Sequence, residues 1–163
     1  MKKTKKVALL SMCVCLCLLL SFVESRIPPL TAIPGVKLGL ANIAVVFALY
    51  KLGSKEAVIV SVVRVFLAAL LFGSAVSFLY SLAGGVLSLA VMLALKRFTP
   101  FGETGVSVCG ALSHNIGQIC VACVLLSTGA IAYYLPFLML SGTVSGVLIG
   151  IVSAIMIKRI QIR

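Results

Sequence analysis

The chain has 163 residues, of which 62% are hydrophobic and 10% are charged, and its mean hydropathy is +1.27. A water-soluble domain could not cover its surface with so few polar side chains, so the composition indicates a protein that lies in a lipid bilayer. The net charge of +11 is carried by short clusters between long apolar stretches. Such clusters are typical of membrane topology signals, and no basic face interleaved with aromatic residues points to a nucleic-acid partner.

The first apolar stretch follows a cluster of four lysines and continues to Val23. It fits either a cleaved secretory signal or an uncleaved first membrane span, and we expect it to be retained. The segment after it contains Pro28, Pro29 and Pro34. These prolines predict a stiff, non-helical connection to the next span.

Five more apolar stretches follow, separated by short turns or polar connections. Residues 104–157 contain no Lys, Arg, Asp or Glu, but they are too long for one crossing, because about 20 helical residues span the hydrocarbon. We therefore expect the chain to reverse near residues 127–129. The predicted fold is all-α, a single-domain bundle of six transmembrane helices at residues 7–23, 35–52, 55–72, 75–95, 104–127 and 132–157.

The basic residues are distributed unequally between the two sides of these spans. When the N-terminus is placed in the cytoplasm, eleven of the fourteen Lys and Arg residues lie inside. Arg26 and Lys37 then lie outside, and Arg64 lies within the membrane. This asymmetry follows the positive-inside rule and predicts that both ends of the chain are cytoplasmic. We expect the protein in the cytoplasmic membrane of a bacterial-type cell.

Few polar side chains lie within the predicted spans, and each is a candidate for a functional site because lipid offers it no hydrogen bonds. Arg64 and His114 are expected near mid-depth, and Asn42 and Gln118 in the outer half. His114 and Gln118 share a helix face, which either holds helices together or lines a ligand cavity. A ligand carboxylate or phosphate could neutralise Arg64, as could backbone carbonyls, Asn42 or snorkelling. The predicted substrate-binding residues are Lys37, Asn42, Arg64, Tyr80, His114, Asn115 and Gln118.

Small residues recur at four-residue spacing in two of the predicted spans and at three- or four-residue spacing in a third. Such spacing lets the backbones of two helices approach closely, so we interpret these residues as helix-packing positions. In the fourth span the small residues are mostly serines. The predicted packing residues are Gly35 and Gly39 in the second span, Ser77, Ser81, Gly84 and Ser88 in the fourth, and Gly142, Gly146 and Gly150 in the last.

The residues that usually carry enzyme or metal chemistry are scarce. Cys120 and Cys123 form a single CxxC pair, with one His in the whole chain, which does not support zinc. Asp is absent, and we expect the three acids, Glu24, Glu56 and Glu103, on separate connections at the membrane edges. We therefore predict no catalytic residue, no metal site and no cofactor.

Three segments carry a family pattern: residues 33–43 (IPGVKLGLANI), 78–85 (FLYSLAGG) and 113–118 (SHNIGQ). With these motifs the chain resembles the Gx transporter family, also named heptaprenyl diphosphate synthase component I. It is similar as well to the S components of energy-coupling-factor vitamin transporters. That second resemblance implies a six-helix fold that captures a small solute from outside. It also implies, as partners, a transmembrane coupling protein with two ATPases.

The two family names imply different functions. Helical prenyl diphosphate synthases hold magnesium with Asp-rich motifs, so a chain without Asp argues against an independent catalytic centre. Our first hypothesis is a membrane component that binds and takes up a small anionic or amphipathic solute. The alternative is a noncatalytic membrane subunit associated with heptaprenyl diphosphate synthesis. A third is a scaffold whose polar residues only pack helices together.

Overall fold

A computed structural model describes residues 3–26 and 39–160 of the chain, and in these two ranges it contains only helices and the turns between them. The predicted all-helical fold is confirmed. The prolines of the first connection, together with Gly35 and Lys37, lie outside the described residues. The helices are α1 (Lys3–Arg26), α2 (Asn42–Lys51), α3 (Ser54–Phe72), α4 (Ala75–Phe98), α5 (Glu103–Leu125) and α6 (Leu135–Arg159), with a 3₁₀ helix at Gly129–Tyr134.

Four helical segments are long and apolar enough to cross a membrane: α1, α4, α5, and the 3₁₀ helix continued by α6. α3 has 19 residues but carries Lys55, Glu56 and Arg64. α2 is apolar but has only 10 residues. The surface of the bundle is also apolar, because large side chains such as Leu70 and Val124 are exposed on it. Four such segments define a membrane protein.

α2 begins later than the second apolar stretch of the sequence suggested. The backbone of Gly39 has φ +79°, a conformation that glycine adopts without strain. The amide of Asn42 donates to the carbonyl of Gly39 at 2.8 Å, which closes a turn over residues 39–41. The helix therefore starts at Asn42, and Gly39 serves this turn instead of a helix-packing stripe.

This short helix lies at the centre of the apolar core. Six consecutive residues, from Ala44 to Leu49, are buried, and α1, α3 and α6 pack around them. A helix that is apolar on every face has to be enclosed in this way or exposed to lipid. Ser153 of α6 also donates to the carbonyl of Ile43 at 3.2 Å. α2 is about 15 Å long, which is about half the hydrocarbon thickness.

The last two helices are separated by a longer reversal than expected. α5 ends at Leu125, and Ser127 has a positive φ of 49° that turns the chain. The 3₁₀ helix then precedes α6, which has Pro136 in its first turn. Proline is well suited to that position because it has no amide hydrogen to leave unpaired.

α5 packs closely against α4 on one side and α6 on the other. A Cβ atom added to Gly117 of α5 would lie 2.8 Å from the carbonyl oxygen of Ala83 in α4. A Cβ atom added to Gly146 of α6 would lie 2.7 Å from the Cα of Val108 in α5. The glycines thus lie where two helix backbones meet. Gly142 and Gly150 face α5 in the same way, with Cβ positions 2.5 Å from Asn115 Nδ2 and 2.6 Å from the Cα of Thr104.

One end of the bundle gathers charged side chains from several helices. Lys6 of α1 forms an ion pair with Glu56 in the first turn of α3. The ammonium of Lys96, near the end of α4, donates to the carbonyl of Leu49, near the end of α2. The starts of α1 and α3 therefore lie together, as do the ends of α2 and α4.

We expect Gly146→Ala to lower the free energy of unfolding by about 1–3 kcal/mol, because the added methyl group would force α5 and α6 apart. Thermal unfolding in detergent micelles measures the effect. Gly129→Ala is the matched control, since a Cβ atom at Gly129 would meet no atom within 4 Å. Equal unfolding temperatures for the two variants would contradict the close packing of α5 and α6.

Candidate functional site

A small polar cavity lies where α1, α3, α4 and α5 meet the turn that precedes α2. The space open to the centre of a water molecule is about 20 Å³, which is room for about one water. Three of the lining side chains are ionisable and come from three different helices. The lining residues are Ser21 and Glu24 of α1, Gly39 of the turn, Arg64, Val65 and Ala68 of α3, Ser81 of α4, and His114 of α5.

Arg64 contributes a buried positive charge to this cavity. Its side chain is only 6% exposed, and it lies ten residues after the start of α3, about 15 Å along the helix. Nη2 is 3.8 Å from the position of a Cβ atom on Gly85, so the guanidinium extends towards α4. Within residues 3–26 and 39–160, Arg64 Nε has no hydrogen-bond partner.

Glu24 is the functional candidate that the sequence analysis missed. It was expected on a connection at the membrane edge, whereas the structure places it within a helix. Glu24 lies in the last turn of α1 and is 8% exposed. Its Oε1 accepts a hydrogen bond of 2.6 Å from the amide of Gly39. Ser21 and Glu24 are three residues apart, and this shared helix face is the signal that could have identified the carboxylate.

The turn before α2 is held against α1 at two points. Glu24 binds the amide of Gly39, and the thiol of Cys17 donates to the carbonyl of Ala41 at 3.4 Å. Asn42 is buried beside this turn, with its Nδ2 3.3 Å from the Cβ position of Gly39. The first residues of α2 are therefore fixed next to the cavity.

His114 reaches the cavity because α4 carries glycine opposite it. A Cβ atom on Gly84 would lie 2.9 Å from His114 Cε1 and 2.9 Å from the His114 carbonyl oxygen. No larger residue could occupy position 84 without displacing the imidazole. Arg64 and His114, which lie far apart in the sequence, thus line one cavity.

Three of the other predicted binding residues, Tyr80, Asn115 and Gln118, do not line this cavity. Tyr80 is packed in a separate apolar cluster with residues such as Ile119 and Leu138. Asn115 Nδ2 donates to the carbonyl of Leu138 at 2.6 Å, which joins α5 to α6. Gln118 has no exposed surface, and neither of its amide atoms has a hydrogen-bond partner in the described part of the chain. Lys37 lies outside the described residues.

Metal ligation and thiol chemistry find little support in the arrangement of side chains. Across residues 3–26 and 39–160, no three His, Cys, Asp or Glu side chains form a group that could hold a metal ion. All six cysteines are free thiols, and in the CxxC pair Cys120 is exposed while Cys123 is half-buried. The cavity is therefore an arrangement of hydrogen-bonding and ionic groups, which suits binding of a polar or charged group.

Apolar helices around a buried arginine, glutamate and histidine define a helical membrane protein with an internal ionisable site. Comparison with protein-family models identifies the family within this class. The chain belongs to the heptaprenyl diphosphate synthase component I family, whose model matches residues 13–156. The family predicted from the sequence motifs is confirmed, and the match includes every residue that lines the cavity. Neither the curated proteins nor the solved structures contain a match, and the similarity to S components stays a prediction.

Proposed function

We propose that this protein is a solute-binding component of the cytoplasmic membrane that binds a small anionic or amphipathic molecule at the cavity of Arg64. The observation that carries the proposal is the burial of the guanidinium among helices that face lipid. Intramembrane ionisable groups are expensive to bury and commonly mark the sites of substrates or ions. A guanidinium presents five N–H donors, which suit a carboxylate or phosphate oxygen.

The site in this proposal combines charged and neutral hydrogen-bond donors. Arg64 is the principal anion-binding group, and His114 and Asn42 are neighbouring hydrogen-bonding groups. Glu24 is added to the residues expected from the sequence, because it lines the same cavity. Lys37, Tyr80, Asn115 and Gln118 stay sequence-based predictions for this site.

We also propose that the bundle crosses the membrane six times with both ends in the cytoplasm. α2 and α3 supply the two crossings beyond the four long apolar segments. In this arrangement α2 and the turn of residues 39–41 act as a broken span. Transporters often place broken helices at the substrate site, near the middle of the bilayer.

Topology is tested with a reporter enzyme that is active only outside the cytoplasm. Fused after Thr128, between α5 and α6, the reporter should be active, whereas fusions after Thr99 and after Arg159 should be inactive. The same three positions fused to a fluorescent protein that matures only in the cytoplasm provide the control. Activity of the fusion after Arg159 would contradict an even number of crossings.

Arg64→Leu should weaken retention of the bound solute by at least about thirtyfold, because a loss of about 2 kcal/mol is typical when one partner of a buried charge pair is removed. Native mass spectrometry of the purified protein measures the fraction of molecules that carry a bound small molecule. Arg97→Leu is the matched control, since Arg97 is exposed at the end of α4. Equal retention by the two variants, with both folded and inserted, would contradict the assignment of Arg64.

The family description supports a second candidate, a noncatalytic membrane subunit that acts with a prenyl diphosphate synthase component. Catalysis by this chain itself is disfavoured because no Asp is available for a magnesium site. In such a subunit the apolar helices would hold a soluble enzyme at the membrane, where a hydrophobic product is released.

Co-purification under mild detergent separates the two candidates. A solute-binding transporter component is expected to bring down a transmembrane coupling protein and two ATPases. The accessory subunit is expected to bring down a soluble, Asp-rich prenyltransferase. Isolation of that prenyltransferase, without ATPases and without a bound small molecule, would overturn the transport proposal in favour of the second candidate.

A further inference from the structure

The turn before α2 and the guanidinium of Arg64 line the same cavity with hydrogen-bond donors. The amide of Gly39 has its hydrogen bond to Glu24 Oε1, at 2.6 Å. Arg64 is more than nine-tenths buried and lines the cavity, and its Nε has no partner within the described ranges 3–26 and 39–160. Backbone amides and guanidinium groups are both common donors to a carboxylate or phosphate oxygen.

This cavity already contains an anion that belongs to the protein itself. Glu24 reaches the cavity from α1, which contributes no other charged group to it. Its carboxylate provides the two features that an anionic ligand would provide. One is an oxygen that accepts a hydrogen bond from the Gly39 amide, and the other is a negative charge in the cavity that Arg64 lines. The cavity thus contains a carboxylate that lies fifteen residues away in sequence from the amide it binds.

Among the described residues, the cavity has too little space for a second anion next to this carboxylate. The remaining volume of about 20 Å³ holds one water, which is less than a carboxylate or phosphate group needs. Two negative charges in one cavity would also repel each other strongly, because lipid and helices screen them little. An incoming anion therefore has to take the position of Glu24.

We propose that the carboxylate of Glu24 occupies an anion-binding site formed by the Gly39 amide and Arg64, and that an anionic ligand binds by replacing it. The ligand class is a carboxylate or phosphate head group. This inference refines the proposed solute function, on which it rests for the identity of the natural ligand. The site itself is tested without that ligand.

Replacement of Glu24 has a structural consequence at α2. The Glu24–Gly39 hydrogen bond and the Cys17–Ala41 hydrogen bond together fix the turn against α1. When a ligand takes over the Gly39 amide, α1 loses the first of these two bonds and the turn stays attached through the second. Binding of an anion is in this way coupled to the contact between α1 and the start of α2. A neutral solute has no means to displace the carboxylate.

Chemical rescue with formate tests the assignment. Glu24→Ala removes the carboxylate and leaves its space beside the Gly39 amide, in the cavity that Arg64 lines. Sodium formate should then raise the unfolding temperature of this variant in a saturable manner, beyond the effect of sodium chloride at equal ionic strength. The wild-type protein should respond equally to both salts. The double variant Glu24→Ala, Arg64→Gln should lose the formate-specific response.

Glu24→Gln keeps the side-chain volume and an acceptor for the Gly39 amide, so it protects the test against misfolding of the alanine variant. Formate should stabilise Glu24→Gln in a saturable, formate-specific manner that the wild-type protein does not show, because the competing charge is gone. Glu56→Ala is the matched control, since it removes an acid that pairs with Lys6 at the end of the bundle. Identical responses to formate and chloride in both Glu24 variants would overturn the proposal.

The two proposals fail in distinguishable ways. If formate stabilises the Glu24 variants but Arg64→Leu retains the co-purified molecule, the anion site stands and the solute function assigned to it fails. If formate has no specific effect while Arg64→Leu loses the co-purified molecule, Arg64 binds the solute and the role of Glu24 is overturned.

Discussion

Lipid offers no hydrogen bonds, and every buried polar group in this protein has to be satisfied by the protein itself or by something it binds. Arg64 is the group for which this requirement is strictest, because it combines a permanent charge with nearly complete burial in the middle of α3. The helices and the turn around Arg64 contribute polar groups to its cavity. A glutamate from α1, a histidine from α5 and a glycine turn before α2 all line the cavity that Arg64 lines.

The short length of α2 is what makes this arrangement possible. A full second span would place side chains where the turn of residues 39–41 now presents backbone amides and carbonyls. Because the helix starts at Asn42, the amide of Gly39 is available to Glu24 and the carbonyl of Ala41 to Cys17. Glycines allow α4 and α6 to pack closely against α5, and Gly84 of α4 leaves room for His114.

The chain's membership of the heptaprenyl diphosphate synthase component I family says which proteins it is related to. The proposed solute function concerns what the protein binds. The family match includes the whole cavity, from Ser21 to His114. An internal ionisable site is more than a scaffold needs, since burying charge is costly and apolar side chains pack helices equally well. A site that binds an anionic head group is compatible with a transported solute, and it is also compatible with an anionic, chain-bearing molecule used by a partner enzyme.

The sequence by itself determined the helical class, the membrane environment and the family, because long apolar stretches and local motifs report these properties directly. It also singled out Arg64 and His114, since ionisable residues stand out in an apolar stretch. Only the tertiary structure decided which groups meet them. Glu24 joins the cavity because α1 continues through residue 26, and α2 starts at Asn42 because Gly39 adopts a positive φ. Tyr80 and Asn115 are turned to other contacts by the packing of α5. Such outcomes depend on how helices rotate and cross, which no local pattern encodes.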